Sequence, residues 1–175
     1  MPERYRRYFL KDKDVKTLLA KASARLKIDL EQVYRGKSSF EVVEAGFAEV
    51  FLFDGEPVLV EKGESVYPTL VFERFRVAAP KIVVDMGAVP FICKGANVMA
   101  PGIRSFEGEF AKGDLVLIVD EKHGKAIAIG EVLCDSRKAK ETKQGVIVKN
   151  VHFVSDQTWN FIKNIAGHAE GKVKA

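Results

Sequence analysis

The sequence predicts an α+β protein in which an N-terminal α/β domain precedes a mainly β pseudo-barrel that contains one short helix. Apolar residues at helical spacing between residues 15 and 26 predict an amphipathic helix near the N-terminus. Residues 40–64 instead alternate apolar and acidic side chains, which is typical of half-buried strands. Residues 115–119 and 126–133 are apolar at almost every position, as strands of a closed or nearly closed barrel are.

A change in composition around Ala79-Pro80 predicts the junction between two domains. We therefore expect one domain at residues 1–77, a second at residues 78–160, and a C-terminal tail at residues 161–175. The end of that tail is small, polar and basic, so we expect it to be frayed.

The composition fits an intracellular protein that can bind nucleic acid. The chain has 175 residues, 47% of them hydrophobic, and 28 Lys+Arg against 24 Asp+Glu give a net charge of +4. It contains no apolar run of membrane-spanning length and no signal-peptide pattern, so we expect a soluble, cytoplasmic protein without a membrane partner. Cys93 and Cys134 are isolated in apolar surroundings, which predicts reduced core thiols and neither a disulfide nor a metal site.

The N-terminal domain is predicted to begin with a strand at residues 5–10, where basic and aromatic residues alternate. This pattern indicates either nucleic-acid contact or an edge strand with one buried face. Asp12 or Asp14 is expected to cap the first helix, and Asp54-Gly55 predicts a hairpin turn between acidic strands. Those strands should form an acidic surface separate from the basic one, and Thr69 is expected to cap a short helix after them.

The second half of the chain is predicted to consist mainly of strands with polar connections. Residues 122–125 are expected to turn one buried strand into the next, and residues 136–144 to form a basic, mobile loop. The last strand should cover residues 146–154, with His152 hydrogen-bonded inside the barrel. Asp156 is then expected to cap a final helical turn.

The stretch at residues 81–103 compresses a strand, a helix, a glycine stop and a second strand into minimal length. Asp85 ends the first strand, the helix is expected to begin near Gly87 or Ala88, and Gly95 is expected to end it with a positive φ. The glycines are predicted to leave bare backbone amides beside Lys94, where a phosphate can approach closely. The alternative is a small packing unit whose glycines serve only turn geometry.

The segment 85–103, DMGAVPFICKGANVMAPGI, resembles the PUA domain, an RNA-binding module named after pseudouridine synthases and archaeosine transglycosylases. The resemblance is carried by Asp85, Gly87, Ala88, Gly95, Ala96, Met99, Pro101 and Gly102. VYPTL at residues 66–70, GVIVKNVHF at residues 145–153, Asp156 and Trp159 extend it. They resemble the malignant T-cell-amplified sequence proteins, their ligatin-type initiation factor relatives and archaeal homologues, which join a pre-PUA domain to a PUA domain. Pro90 departs from the pattern, because the family often has a lysine or another polar residue there.

This resemblance implies an RNA-binding protein of the translation machinery that contacts tRNA, small-subunit rRNA or both through its PUA domain. Structured RNA, the small ribosomal subunit and a translation-factor protein are the implied partners. Glycine and alanine would let the ribose-phosphate backbone approach, and basic residues would supply charge. The implied RNA-binding residues are Gly87, Ala88, Lys94, Gly95, Ala96, Asn97, Met99, Arg104 and Lys149.

Catalysis is not expected. The chain shows no glycine-rich nucleotide loop, no paired His and Cys ligands and no nucleophile elbow, and its histidines, His123, His152 and His168, lie in a predicted turn, strand and tail. We therefore expect neither a catalytic residue nor a cofactor. Two alternatives to direct action in translation stay open: an RNA-targeting accessory subunit of an RNA-modification system, and a protein-docking module in which Tyr5, Tyr8 and Phe9 contact a partner.

Overall fold

The computed structural model describes residues 4–36 and 38–173, with side chains through Ile165. The chain divides into two compact units. The first takes the chain up to Phe75 and again from Ile162 onward, and the second takes Arg76–Phe161. The mixture of helices and sheets confirms the predicted α+β class.

The first unit is built on a five-stranded antiparallel sheet whose strands follow one another in chain order. The strands are β1 (Arg6–Phe9), β2 (Phe40–Glu44), β3 (Glu49–Phe53), β4 (Glu56–Lys62) and β5 (Ser65–Pro68). The helices of this half of the chain are α1 (Asp12–Leu26), α2 (Leu30–Val33) and α3 (Glu73–Ala78), the last of which crosses the division between the units.

Helix α1 has the predicted amphipathic pattern but a different beginning. Its buried residues are Leu18, Leu19, Ala22 and Leu26, as helical spacing predicted. The residue before the helix is Lys11, which has an extended backbone and no capping side chain. The prediction that Asp12 or Asp14 caps the helix is therefore wrong. Both lie inside the first turn, where their charges favour the helix dipole.

The hairpin signals of the sheet are confirmed. Asp54 and Gly55 have φ values of 52° and 84°, as a two-residue turn between twisted strands requires. Thr69, however, does not cap a helix. It is fully buried, and its hydroxyl donates a hydrogen bond to the backbone oxygen of Pro57 at 2.7 Å. A buried hydroxyl needs a hydrogen-bond partner. A partner twelve residues away along the chain cannot be recognised from the residues around Thr69.

Strand β1 is an edge strand, but it has no buried face, since all four of its residues are exposed. Arg7 pairs with Glu41 on the neighbouring strand, and the Tyr8 hydroxyl bonds Glu44. Basic and acidic side chains are therefore interleaved here, and the predicted separation of the two surfaces is wrong at this edge.

The second unit contains six strands and two short helices: β6 (Lys81–Val84), α4 (Val89–Ile92), β7 (Val98–Met99), β8 (Ile103–Glu107), β9 (Leu115–Asp120), β10 (Ala126–Val132), α5 (Ser136–Glu141) and β11 (Val146–Phe153). The strands form one sheet in the order β7-β11-β10-β9-β6-β8. Strands β6 and β9 are parallel, and the other neighbours are antiparallel. The edge strands β7 and β8 are joined by three residues in a 3-10 turn, so the sheet curls into the predicted pseudo-barrel.

The core of this unit lies inside the curled sheet. All six residues of β9 are buried, which confirms that this apolar run faces protein on both sides. Cys93 and Cys134 are free and pack against the same core, where burial raises the pKa of both thiols.

Two parts of the second half differ from the prediction. The basic segment expected as a loop contains helix α5, which Asp135 caps by accepting a hydrogen bond from the Lys138 backbone at 2.8 Å. Ser136 and Ala139 are its buried residues. The expected final turn is the start of α6 (Gln157–Val173), a helix of 17 residues that continues through most of the predicted tail. Residues 174–175 and the side chain of His168 lie outside the described part of the chain.

Asp156 at the start of α6 pairs with the buried side chain of His152. The His152 ring is fully buried, and its Nδ1 lies 2.8 Å from Oδ2 of Asp156. Oδ1 of Asp156 accepts a hydrogen bond from the Trp159 backbone at 2.7 Å, so the predicted helix cap is confirmed. In residues 4–36 and 38–173, no helix is both long and apolar enough to cross a membrane.

Candidate nucleic-acid interface

Asp85 shapes the loop that precedes α4. Its side-chain Oδ1 and its backbone oxygen both accept from the Ala88 amide, at 2.8 and 3.2 Å. The regular helix then begins at Val89, so Pro90 is its second residue and its missing amide costs no helical hydrogen bond. The helix therefore begins one residue after Ala88, next to the predicted start near Gly87 or Ala88.

The backbone amides beside Lys94 were expected to be free, but they donate hydrogen bonds in the turn that ends α4. Gly95 has φ of 102°, as the predicted glycine stop requires. Its amide donates to the Ile92 oxygen at 3.0 Å, and the amides of Lys94 and Ala96 donate to the Phe91 oxygen at 3.1 and 3.0 Å. These donors close the last turn of the helix, so the prediction of free amides for a phosphate is wrong.

Asn150 of β11 fastens this turn to the sheet. Its side-chain amide donates to the backbone oxygens of Ile92 and Ala96, both at 3.0 Å. Its backbone amide donates to Oδ1 of Asn97 at 2.9 Å. Lys149 directly precedes Asn150 on β11 and is exposed. Sequence reasoning missed Asn150, because a single asparagine in a strand gives no sign of a partner more than fifty residues away.

A close backbone approach joins the loop before α4 to the 3-10 turn after β7. The Asp85 amide donates to the Gly102 oxygen at 2.9 Å. A Cβ on Gly102 would lie 3.2 Å from that of Ala88, which leaves little room for a side chain. Gly87, in contrast, meets only an ordinary contact with Asp85 at 3.4 Å.

The three predicted cations differ in their surroundings. Nε of Arg104 lies 3.1 Å from Oε2 of Glu121, whose other oxygen accepts from the Met86 amide at 3.3 Å. Glu121 therefore links Arg104 of β8 to the loop before α4, and its carboxylate offsets part of the Arg104 charge. Lys94 is exposed at the other end of α4, and Lys149 is exposed on β11. In the part of the chain that the structure describes, their ammonium groups have no ion-pair partner.

The structure thus distributes the predicted site residues between the two ends of α4. Gly87, Ala88 and Arg104 lie at its beginning. At its end lie Lys94, Gly95, Ala96 and Asn97, and Lys149 lies on β11 next to Asn150, which bonds this end. Met99 lies on β7, where it pairs with Val146 of β11 and is 46% exposed.

Exposed apolar side chains accompany these cations, and of these the sequence analysis named Met99 but missed Phe91 and Met86. Phe91 is 66% exposed, although it lies in a helix whose neighbouring Ile92 is buried. A single helical turn can bury only one side, so consecutive apolar residues in it cannot all enter the core. Met86 and Met99 are also exposed. An exposed ring near positive charge is suited to stacking on an unpaired base.

Replacing Gly95 with alanine is expected to lower the free energy of unfolding by about 1–2 kcal/mol, because a side chain disfavours positive φ. The added Cβ would also contact the Phe153 ring at 3.4 Å. Chemical denaturation measures the loss. Gly87→Ala is the control, since the φ of Gly87 is ordinary and an added Cβ would meet only the Asp85 carboxylate at 3.4 Å. A loss as large as that of Gly95→Ala would contradict the backbone explanation.

Residues 80–154 match the PUA domain family, and residues 6–73 match a domain of unknown function, DUF1947. The uncharacterized protein MJ1432 of Methanocaldococcus jannaschii is 35% identical over 157 residues, which cover 89% of this chain and 96% of that protein. The chain belongs to this family of PUA-domain proteins. Two eukaryotic members are more distant, and they confirm the resemblance seen in the sequence.

The first eukaryotic relative is translation machinery-associated protein 20 of Saccharomyces cerevisiae, 28% identical over 84% of this chain and 86% of its own. The second is malignant T-cell-amplified sequence 1-B of Xenopus laevis, 27% identical over 75% of this chain and 76% of its own.

Solved structures of similar archaeal proteins cover both units. Hypothetical protein PH0734.1 of Pyrococcus horikoshii has a TM-score of 0.73 and 30% identity, and it covers 89% of this chain and 98% of its own. A PUA-domain protein of Aeropyrum pernix, APE0525, crystallised as a tartrate complex, has a TM-score of 0.77 and 25% identity over 93% and 94% of the two chains. Among the residues that the structure describes, no group of three or more His, Cys, Asp or Glu side chains is placed to hold a metal ion.

Proposed function

We propose that this protein binds structured RNA of the translation machinery, tRNA or small-subunit rRNA, through the surface around α4. The observation that carries the proposal is the exposed cation Lys94 in the turn that follows the exposed ring of Phe91 at the end of α4. Lys149, which precedes Asn150 on β11, is a second exposed cation. Cations position RNA through its phosphates, and an exposed ring stacks on an unpaired base. Arg104 contributes at the other end of α4 with a charge that Glu121 partly offsets.

The relatives support the same proposal. The yeast relative is named for its association with the translation machinery, and the match spans most of both chains. A cytoplasmic location and a role as a binding protein, without catalysis, are part of the proposal. The small ribosomal subunit and a translation-factor protein are the proposed partners.

The proposal is tested by the salt dependence of RNA binding. We expect Lys94→Ala/Lys149→Ala to weaken binding of a deacylated tRNA and of a small-subunit rRNA fragment whatever their sequence. Each lost phosphate contact lowers the slope of log affinity against log salt by about 0.7–0.9, so the double variant should lose about 1.5. Fluorescence anisotropy between about 50 and 200 mM salt measures the slope.

The matched control is Lys13→Ala/Lys16→Ala, which removes two exposed charges from α1 without touching the surface around α4. We expect its slope to equal that of the unmodified protein. A reduced slope in the control, together with an unchanged slope in Lys94→Ala/Lys149→Ala, would move the RNA site to the first unit. Absence of binding to both RNAs would reject the proposed function.

A further inference from the structure

A groove of about 300 Å³ opens between α1 and the sheet of the first unit. Leu10, Leu18 and Phe51 form its apolar lining, and Leu18 and Phe51 are almost fully buried. Its charged lining consists of Asp14 and Lys21 from α1 and of Glu49 and Glu61 from the sheet. We call it the α1 groove. An apolar wall below an anionic rim is suited to a ligand with an apolar stem and a cationic end.

The anionic rim continues a row of three glutamates across the sheet. Glu44 of β2 lies opposite Glu49 of β3, and Glu49 lies opposite Glu61 of β4. Like charges that face each other across strands destabilise a sheet. The two outer glutamates have partners: Lys21 lies 3.0 Å from Glu61, while Glu44 bonds the Tyr8 hydroxyl and has Arg6 at 3.5 Å.

The central glutamate lacks such a partner. Within the described residues, the Glu49 carboxylate makes no hydrogen bond or ion pair. Burial raises its pKa, and the charges of Glu61 and Glu44 raise it further. A cation beside Glu49 would therefore offset the repulsion in this row.

The shape of the groove indicates which cation this is. Glu49 and Phe51 are two residues apart on β3, so both project from the same face of the sheet. A guanidinium has five donors in a plane and can bond more than one carboxylate at once, whereas an ammonium acts as a compact point charge. The methylene groups of an arginine can cover apolar surface while its charged end stays at the rim.

We propose that the α1 groove binds an arginine side chain of a protein partner, with the guanidinium at Glu49 and Glu61 and the stem over Leu18 and Phe51. The adjacent edge strand supports a polypeptide as the source. Tyr8 also lines the groove and is 41% exposed. A chain that carries the arginine can cover this ring, which a free small cation cannot do. This binding site is separate from the proposed RNA surface.

The test uses the full chain and the peptide Ac-Ala-Arg-Ala-NH2 as the probe, with NMR shifts of the backbone amides as the readout. We expect saturable shifts at Lys21, Glu49 and Phe51. The same peptide with citrulline, which is isosteric and uncharged, should bind about tenfold more weakly or worse. The Glu49→Gln variant should bind the arginine peptide more weakly to a similar degree. Glu56 is an exposed glutamate of the same sheet outside the groove, so Glu56→Gln should leave the affinity for the peptide unchanged.

Glu49→Gln is expected to remain folded, because it removes a charge that faces two like charges, and a melting curve checks this. Equal binding of the citrulline peptide, an affinity insensitive to Glu49→Gln, or shifts located elsewhere would overturn the proposal. Displacement of the peptide by spermidine at equal or lower concentration would identify a free polyamine as the ligand and reject the protein partner. Glu49→Gln should leave tRNA binding unchanged, so the outcome is independent of the RNA proposal.

Discussion

Replacing Gly130 with alanine is expected to destabilise the second unit by at least about 3 kcal/mol, because the new methyl group has no space. A Cβ at this position would lie 2.2 Å from Cγ1 of Val148 and 2.8 Å from the backbone oxygen of Lys149. Both contacts belong to β11, the neighbour of β10 in the sheet, and the register between the two strands shifts next to Gly130. Urea denaturation measures the loss as a lower midpoint.

Two glycine variants separate this clash from other effects of glycine. Gly113 has φ of 91° and no atom within 4 Å of a new Cβ, so Gly113→Ala should cost only backbone strain of about 1 kcal/mol. Gly46 has an ordinary φ and open space, so Gly46→Ala should leave stability almost unchanged. If Gly130→Ala loses no more stability than Gly113→Ala, β10 and β11 can move apart without a cost in free energy. The explanation by a clash with β11 would then be wrong.

These glycines illustrate which parts of the fold are readable from sequence. Asp54-Gly55 and Gly95 were predicted correctly, because a positive φ at a turn or a helix end is a local requirement. Gly130 is required by a contact with another strand. A glycine inside an apolar run indicates a bulge or a close approach, but not which chain segment approaches.

The missed hydrogen bonds have the same physical origin. Asn150 bonds atoms more than fifty residues away, and Thr69 bonds an oxygen twelve residues away. Such partners depend on how the sheets are assembled. The sequence predicted where α4 lies to within about a residue. It did not predict that the Lys94 and Ala96 amides would donate to the Phe91 oxygen, because those bonds form only when the last turn of the helix closes.

Helix α5 is a different case, because its signal was present. Asp135 precedes SRKAKE, which contains good helix formers, and Ala139 supplies one buried contact. The run of positive charge favoured a loop in the sequence analysis. In the structure the cap and the buried alanine outweigh the repulsion between exposed lysines, which solvent screens.

Replacing Asp156 with alanine is expected to lower the free energy of unfolding by about 3 kcal/mol, more than an ordinary helix cap contributes. Its carboxylate accepts from the Trp159 amide at 2.7 Å, from the Phe153 amide at 2.9 Å and lies 2.8 Å from Nδ1 of His152. Loss of the carboxylate also leaves Nδ1 of a fully buried ring without this partner, which adds a desolvation penalty. Urea denaturation at neutral pH measures the loss.

The control is Asp135→Ala, which removes another capping aspartate of the same unit whose carboxylate bonds the Lys138 amide at the exposed start of α5. We expect it to cost about 1 kcal/mol. Equal losses for the two variants would show that the contact with His152 contributes nothing beyond capping.

The contribution of Asp156 should also depend on pH. Burial by itself raises the pKa of this carboxyl, but the hydrogen bond and charge of His152 and the amides of Trp159 and Phe153 outweigh burial and hold the pKa below its ordinary value. Because the folded-state pKa is lower than that of the unfolded chain, about 3.9, the stabilisation is complete above that pH and is lost as pH falls through the folded-state pKa. We therefore expect the difference in stability between the unmodified protein and Asp156→Ala to shrink as the pH falls below about 4, as measured by urea denaturation across an acid series. A difference that stays constant through this range would mean that the Asp156 charge does not stabilise the fold.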